Sequence, residues 1–80
     1  MDKSTIVGKV REILVGVLKH ENFEMTDEVT ASEIKGWDSL SHMIIITEIE
    51  KAFGIRFRLK ELNKLNNMGA LINLIETKSQ

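Results

Sequence analysis

Few residues in this 80-residue chain could carry chemistry. Ser39 stands between Asp38 and Leu40, where an N-cap type of residue precedes apolar helical periodicity, so its hydroxyl belongs to the first position of a helix. Backbone N–H groups there lack intrahelical partners and the helix dipole is positive, so an anion attached to the serine is stabilised. By itself Asp38-Ser39-Leu40 is also an ordinary way to begin a helix. His42 lies three residues further on, within reach of Ser39 as a base. A serine hydrolase, however, also needs a group to orient the histidine, an oxyanion hole and an enclosed pocket, and the sequence offers none of these. His42 therefore reads as an exposed helix histidine, and His20 as a dipole partner at the end of the first helix. The chain has no cysteine, and the acids from Glu21 to Glu33 lack the Asp-x-Asp-x-Asp-Gly spacing of a calcium loop, so no metal site is expected.

The elements that must position Ser39 can be read from periodicity. Ile6, Val7, Val10, Ile13, Leu14, Val17 and Leu18 repeat at i, i+3, i+4 and i+7, which predicts a helix over 5–20 with Ser4 or Asp2 as its cap. From Glu21 to Trp37 the period is lost and only Phe23, Met25, Val29 and Ile34 remain as apolar anchors, so this segment is a long loop of the kind that usually has a function. Inside it Thr30-Ala-Ser-Glu33 has capping-box spacing and Gly36 stands where a left-handed terminator would, giving one short helical turn. A second helix runs over 39–53, from the Asp38 cap to the Gly54 stop. Residues 55–59 alternate like a strand but have no partner strand, so they form an extended link, followed by a short helix over 59–64. Asn66 or Asn67 caps a last helix over 68–77 with Met68, Leu71, Ile72 and Ile75 inward. The expectation is an all-α bundle, three main helices plus one short helix, in one domain spanning 1–80.

At about 100° per residue the second helix has two apolar faces. Ile45, Ile46, Ile49, Ala52 and Phe53 form one, and Leu40, Met43, Ile44 and Thr47 the other. The first closes the core; the second is either covered by the rest of the bundle or exposed as a binding patch.

Charge is segregated. Residues 21–50 hold eight acids and one base, a net −7, whereas the other 50 residues hold ten bases and four acids, a net +6, consistent with the total of −1. The acidic segment reads as a docking surface and the bases Lys51, Arg56, Arg58, Lys60 and Lys64 as a flank that helps choose partners. A net charge near zero gives no reason to expect nucleic acid or a membrane as partner, the longest apolar run (Met43 to Ile46) is too short to span a bilayer, and a cysteine-free chain fits the reducing cytoplasm.

Taken together, Gly36-Trp37-Asp38-Ser39-Leu40 after a long acidic loop, an apolar helix ending Ile49-Glu50-Lys51-Ala52-Phe53-Gly54-Ile55, and the Asn66-Asn67-Met68 start of the last helix resemble the acyl carrier proteins, over essentially the whole chain. The resemblance implies that the chain is not itself an enzyme. Ser39 would be the attachment point for 4′-phosphopantetheine, transferred from coenzyme A by a phosphopantetheinyl transferase. Asp38 would cap the helix and help the transferase and its metal recognise the site. The resemblance further implies that Leu40, Met43, Ile44 and Glu48 face partner enzymes that load acyl groups as thioesters on the arm and transfer them onward, the carrier being a cytoplasmic monomer. Ser41, His42 and Ile44 occupy positions that are often polar or acidic in carriers of fatty acid synthesis, and Trp37 a position often small, so a dedicated biosynthetic pathway is the closer match. Two alternatives stand beside this reading: a peptidyl or aminoacyl carrier, in which glycine and histidine often precede the serine, and an unmodified helical adaptor using the Leu40, Met43 and Ile44 face.

Overall fold

The computed structural model describes residues 2–79, and these build four α-helices and no strand: α1 (Lys3–Leu18), α2 (Ser39–Phe53), α3 (Leu59–Leu62) and α4 (Met68–Lys78). One turn of 3-10 helix, Ala31–Glu33, interrupts the loop between α1 and α2.

Helix α1 starts two residues earlier than the periodicity predicts, because Asp2 rather than Ser4 is its cap: Asp2 Oδ1 accepts the Thr5 N–H at 2.9 Å. It also stops at Leu18, short of the expected residue 20. Lys19 takes a left-handed conformation (φ 63°) and its N–H bonds to the Val15 carbonyl. Glycine is the usual residue at such a stop, and its absence here concealed the end of the helix. His20 consequently lies outside the helix and is no dipole partner. Its Nδ1 accepts the Asn22 N–H at 3.0 Å, and its Nε2 lies 2.6 Å from the Lys35 carbonyl oxygen, so the Nε2–H tautomer closes both bonds and ties the two ends of the loop together.

The core gathers Ile6, Val10 and Leu14 from α1, Ile45, Ile46 and Ile49 from α2, and Met68, Leu71, Ile72 and Ile75 from α4, with Ile34 and Ile55 from the connections. Helix α1 packs against both α2 and α4. Ala52, placed by periodicity on the inward face of α2, is exposed, whereas Phe53 is half-buried and packs against the core.

The long loop is bound to the body at the start of α4. Met68 N–H donates to the Val29 carbonyl at 2.8 Å and Gly69 N–H to the Asp27 carbonyl at 3.0 Å, so two N–H groups that a helix start leaves unpaired are met by loop carbonyls, while Asn67 Oδ1 caps Ala70 N–H. The approach is close enough to require glycine: a Cβ on Gly69 would stand 3.0 Å from Asp27 Cβ and 3.2 Å from its carbonyl oxygen.

Helix α3 is a single turn, two residues shorter than expected. Glu61 Oε1 holds it from both sides, accepting the Arg58 N–H at 2.7 Å and the Lys78 ammonium at 2.9 Å. The first of these bonds, then the second, draws the Glu61 carboxyl below its ordinary pKa. The link before α3 is extended, as expected, and Glu50 Oε2 accepts the Phe57 N–H at 2.8 Å, pinning the link to α2.

Candidate functional site

Every backbone feature around Ser39 fixes the junction between loop and helix. Gly36 has a positive φ of 88°, which turns the chain toward α2. Asp38 Oδ1 accepts the Ser41 N–H at 2.9 Å, and Ser41 Oγ reciprocates by accepting the Asp38 N–H at 2.8 Å. This is a capping box with serine in the place usually held by glutamate. The Ser41 hydroxyl proton goes to the Gly36 carbonyl at 2.8 Å, so one side chain fastens the turn, the cap and the helix. Above all the hydrogen bond from the Ser41 N–H holds the Asp38 carboxyl below its ordinary pKa, keeping it ionised at neutral pH.

Ser39 itself is exposed at the first position of α2. Its hydroxyl makes no hydrogen bond to a described residue, and the cap leaves it at the positive end of a helix of 15 residues. An accessible, uncommitted oxygen at this position fits a phosphodiester: the oxygen has room to be esterified, and the field stabilises the charge that results.

His42 is not the free surface histidine that the sequence suggested. It is half-buried, and its Nδ1 accepts the indole N–H of Trp37 at 3.1 Å, with the two rings stacked at 6.1 Å between centroids and 29° between planes. That bond needs an unprotonated Nδ1, so the ring is held with its proton on Nε2. Trp37 and His42 border a small cavity of about 30 Å³ over Ile46, Leu65, Met68 and Leu71. The space suffices for a water molecule and no more. Nothing in the spacing of Trp37 and His42 announced the pair, which depends on the turn at Gly36. The role of Ser41 could have been found, since Asp38-x-x-Ser41 has capping-box spacing.

The remaining expected site residues fall on the outward side of α2. Leu40 is 73% exposed, Met43 54% and Ile44 44%, forming an apolar strip that begins next to Ser39. Glu48 continues it as an exposed carboxylate, loosely paired with Lys51 at 4.0 Å. The opposite side of the helix, Ile45, Ile46 and Ile49, is at most 3% exposed. The two apolar faces are thus one core face and one face open to solvent.

Comparison with known proteins matches residues 8–75 to the family described as "Phosphopantetheine attachment site". The chain belongs to this family. Similar acyl carrier proteins include that of Streptococcus pyogenes, 40% identical over 75 residues, which cover 94% of this chain and 97% of the relative. The acyl carrier protein of Thermotoga maritima is 26% identical over 76 residues, 95% of this chain and 94% of the relative. Among solved structures, the solution structure of holo acyl carrier protein from Geobacter metallireducens superposes with a TM-score of 0.84 at 37% identity, covering 91% of this chain and 84% of the other. The all-helical fold and the carrier family expected from the sequence are both supported by these likenesses, and 4′-phosphopantetheine is the prosthetic group of the family.

The bases Arg56, Arg58, Lys60 and Lys64 of this carrier are exposed beyond the end of α2, and Leu59 among them is 76% exposed. Among the described residues no helix is long and apolar enough to cross a membrane, and no group of three or more potential metal ligands occurs.

Proposed function

We propose that Ser39 Oγ carries 4′-phosphopantetheine and that the chain is an acyl carrier serving a dedicated biosynthetic pathway. The observation that carries the reading is the Ser39 hydroxyl, exposed and unbonded at the head of α2, behind an ionised Asp38 and beside the exposed strip of Leu40, Met43 and Ile44. In the attachment step the Ser39 oxygen bonds to the phosphorus that bears the pantetheine arm of coenzyme A. The phosphoanhydride bond breaks, adenosine 3′,5′-bisphosphate leaves, and the hydroxyl proton passes to a base of the phosphopantetheinyl transferase. Asp38 supports this twice, by holding the first turn in place and by presenting a carboxylate to the transferase and its metal. When bound, the group supplies a thiol on a flexible arm, on which acyl groups are held as thioesters, a chemistry that a cysteine-free chain lacks.

Leu40, Met43, Ile44 and Glu48 are then the surface met by the transferase and by acyl-activating and acyl-transferring enzymes, an apolar strip with an acidic end. Catalysis belongs to those partners, and the carrier acts as a monomeric domain of the cytoplasm. The dedicated pathway is favoured by the Trp37–His42 pair beside the attachment point and by the basic, leucine-bearing segment after α2, which give this carrier a surface of its own.

Mass spectrometry tests the proposal. Incubated with coenzyme A and a broad-specificity transferase, the protein should gain the mass of one phosphopantetheine group, and Ser39→Ala should gain none while remaining folded. A wild-type protein left unmodified under conditions that convert a control carrier refutes it and leaves the helical adaptor.

A further inference from the structure

Beside the exposed strip of α2 lies a second feature that attachment at Ser39 does not use: an open groove between α1 and α2. Ile13, Gly16 and Val17 of α1 and Ile44 of α2 line it, and its only charged lining residues are one carboxylate from each helix, Glu12 and Glu48. Ile44 and Glu48 also line the depression with Leu40 and Met43, so the groove and the strip that starts at Ser39 form one continuous surface.

Gly16 has no role in the fold. It lies inside α1 without a positive φ, and a Cβ placed on it meets nothing within 4 Å. Glycine weakens a helix interior relative to alanine, so the fold alone would favour a larger residue here. The lack of a side chain leaves the floor of the groove open between Ile13 and Val17. Glu12 pairs with no cation among the described residues, and Glu48 has only the loose contact with Lys51.

From these observations we infer that the α1–α2 groove docks a protein segment that presents an apolar side chain between lysines or arginines. The apolar side chain lies over Gly16, and the cations meet Glu12 and Glu48. Charge decides the occupant: an apolar floor walled by two acids attracts a basic, amphipathic segment and rejects an acidic one. The occupant is a segment of a partner protein; this chain's own Arg58-Leu59-Lys60 has the same chemistry, so docking of a second copy is the outcome that the test must separate from it. The inference rests on the proposed carrier role only in taking the partner to be an enzyme that serves this chain.

The probe is a synthetic 14-residue amphipathic helix of leucine and lysine, titrated into the ¹⁵N-labelled full chain, with a leucine–glutamate peptide as control. Saturable amide shifts are expected at Glu12, Ile13, Gly16, Val17, Ile44 and Glu48 with the basic peptide alone. Gly16→Leu should weaken binding at least tenfold while raising the melting temperature, and Glu12→Lys should weaken it similarly. Gly8→Leu, on the same helix outside the groove, should leave binding within twofold. Shifts confined to the acidic loop of residues 21–33, equal binding of the acidic peptide, or indifference to Gly16→Leu would overturn the inference. So would concentration-dependent self-association relieved by Arg58→Glu, since the groove would then take a second copy. Phosphopantetheinylation of the wild type is measured in parallel. If it fails while the basic peptide still maps to the groove, the carrier reading falls and the docking site stands.

Discussion

Helix α2 must bury one apolar face and display another, and substitutions on its two sides should therefore have opposite consequences. Ile49 is fully buried in the core. Its replacement by alanine removes three carbons, about 2.4 kcal/mol at ~0.8 kcal/mol per buried methylene, and the remaining cavity raises the cost to ~2–5 kcal/mol. At ~0.05–0.15 kcal/mol per residue, the chain of 80 residues has about 4–12 kcal/mol of stability in all, so Ile49→Ala removes a large share of it. In a domain of this size each kcal/mol shifts Tm by roughly 4–8 °C, and the loss should exceed ~8 °C. Ile46→Ala, at 3% exposure, should behave in the same way. Met43 and Ile44, at 54% and 44% exposure, already meet solvent, so Met43→Glu and Ile44→Glu should stay within ~0.5 kcal/mol of wild type. The two glutamate variants should nevertheless be modified more slowly by the transferase and accept acyl groups more slowly from partners. Urea denaturation gives the first quantity and timed mass spectrometry the second. A drop in stability of several kcal/mol for either glutamate variant would place that face inside the fold, where an unpaired carboxylate is costly, and would remove the partner surface from this helix.

Four further outcomes follow from particular contacts and charges. Gly69→Ala should lower stability by ~1–3 kcal/mol, even though alanine favours helices, because its Cβ would stand 3.0 Å from Asp27 and must displace the loop; unchanged denaturation would mean that the loop yields freely. Asp38→Ala should lower Tm by roughly 4–8 °C through loss of the cap and also slow modification, and an unchanged modification rate would reduce Asp38 to a structural role. Because the folded-state pKa of Asp38 lies below its unfolded value of about 3.9, the stability it confers is complete above that pH and is lost as pH falls through the folded value. The stability difference between wild type and Asp38→Asn, measured by urea denaturation, should therefore be constant from pH 5 to 8 and change only below about 4. Association with the transferase should slow as salt rises, since the −7 of residues 21–50 attracts over a Debye length of ~10 Å at 0.1 M; rates that ignore salt would make the acidic segment plain solvated surface.

What could be read from the sequence was whatever repeats or punctuates. Ile6, Val10 and Leu14 gave away α1 by their spacing, Asp38 and Gly54 marked both ends of α2 to the residue, and the Asn66-Asn67 pair marked the start of α4, where Asn67 is the cap. The same periodicity gave α2 two apolar faces, with Leu40, Met43 and Ile44 on one of them, but left open whether that face was covered or exposed. What could not be read depends on segments distant in sequence. Lys19 adopts the left-handed stop without the glycine that would advertise it. His20 bonds to Lys35 across the loop, and Gly69 is needed only because Asp27 lies against it. No periodicity carries such contacts, since each is set by where the loop returns rather than by its own residues.

The capping bonds around Ser39 also explain why an exposed residue can be a well-defined one. A serine on a mobile loop would present its oxygen in many orientations, and a partner enzyme would have to order the loop before reacting. Here the loop is fastened on three sides: by His20 to Lys35, by the Val29 and Asp27 carbonyls to α4, and by Ser41 to Gly36 and Asp38. Trp37 adds a fourth attachment through His42, one turn into α2. The ordering entropy is therefore met by folding rather than by docking. Ser39 projects from the one position of this fastened junction that takes no part in fastening it, so it can be esterified without loosening the cap. Weakening the junction should consequently harm modification more than it harms the rest of the fold. Ser41→Ala, which removes the Oγ bonds to Asp38 and Gly36 while leaving Ser39 and every core residue in place, should cost only ~1 kcal/mol, the scale of a lost cap, yet slow the transferase several-fold. A Ser41→Ala protein modified at the wild-type rate would show that the transferase orders Ser39 for itself, and that the junction serves stability alone.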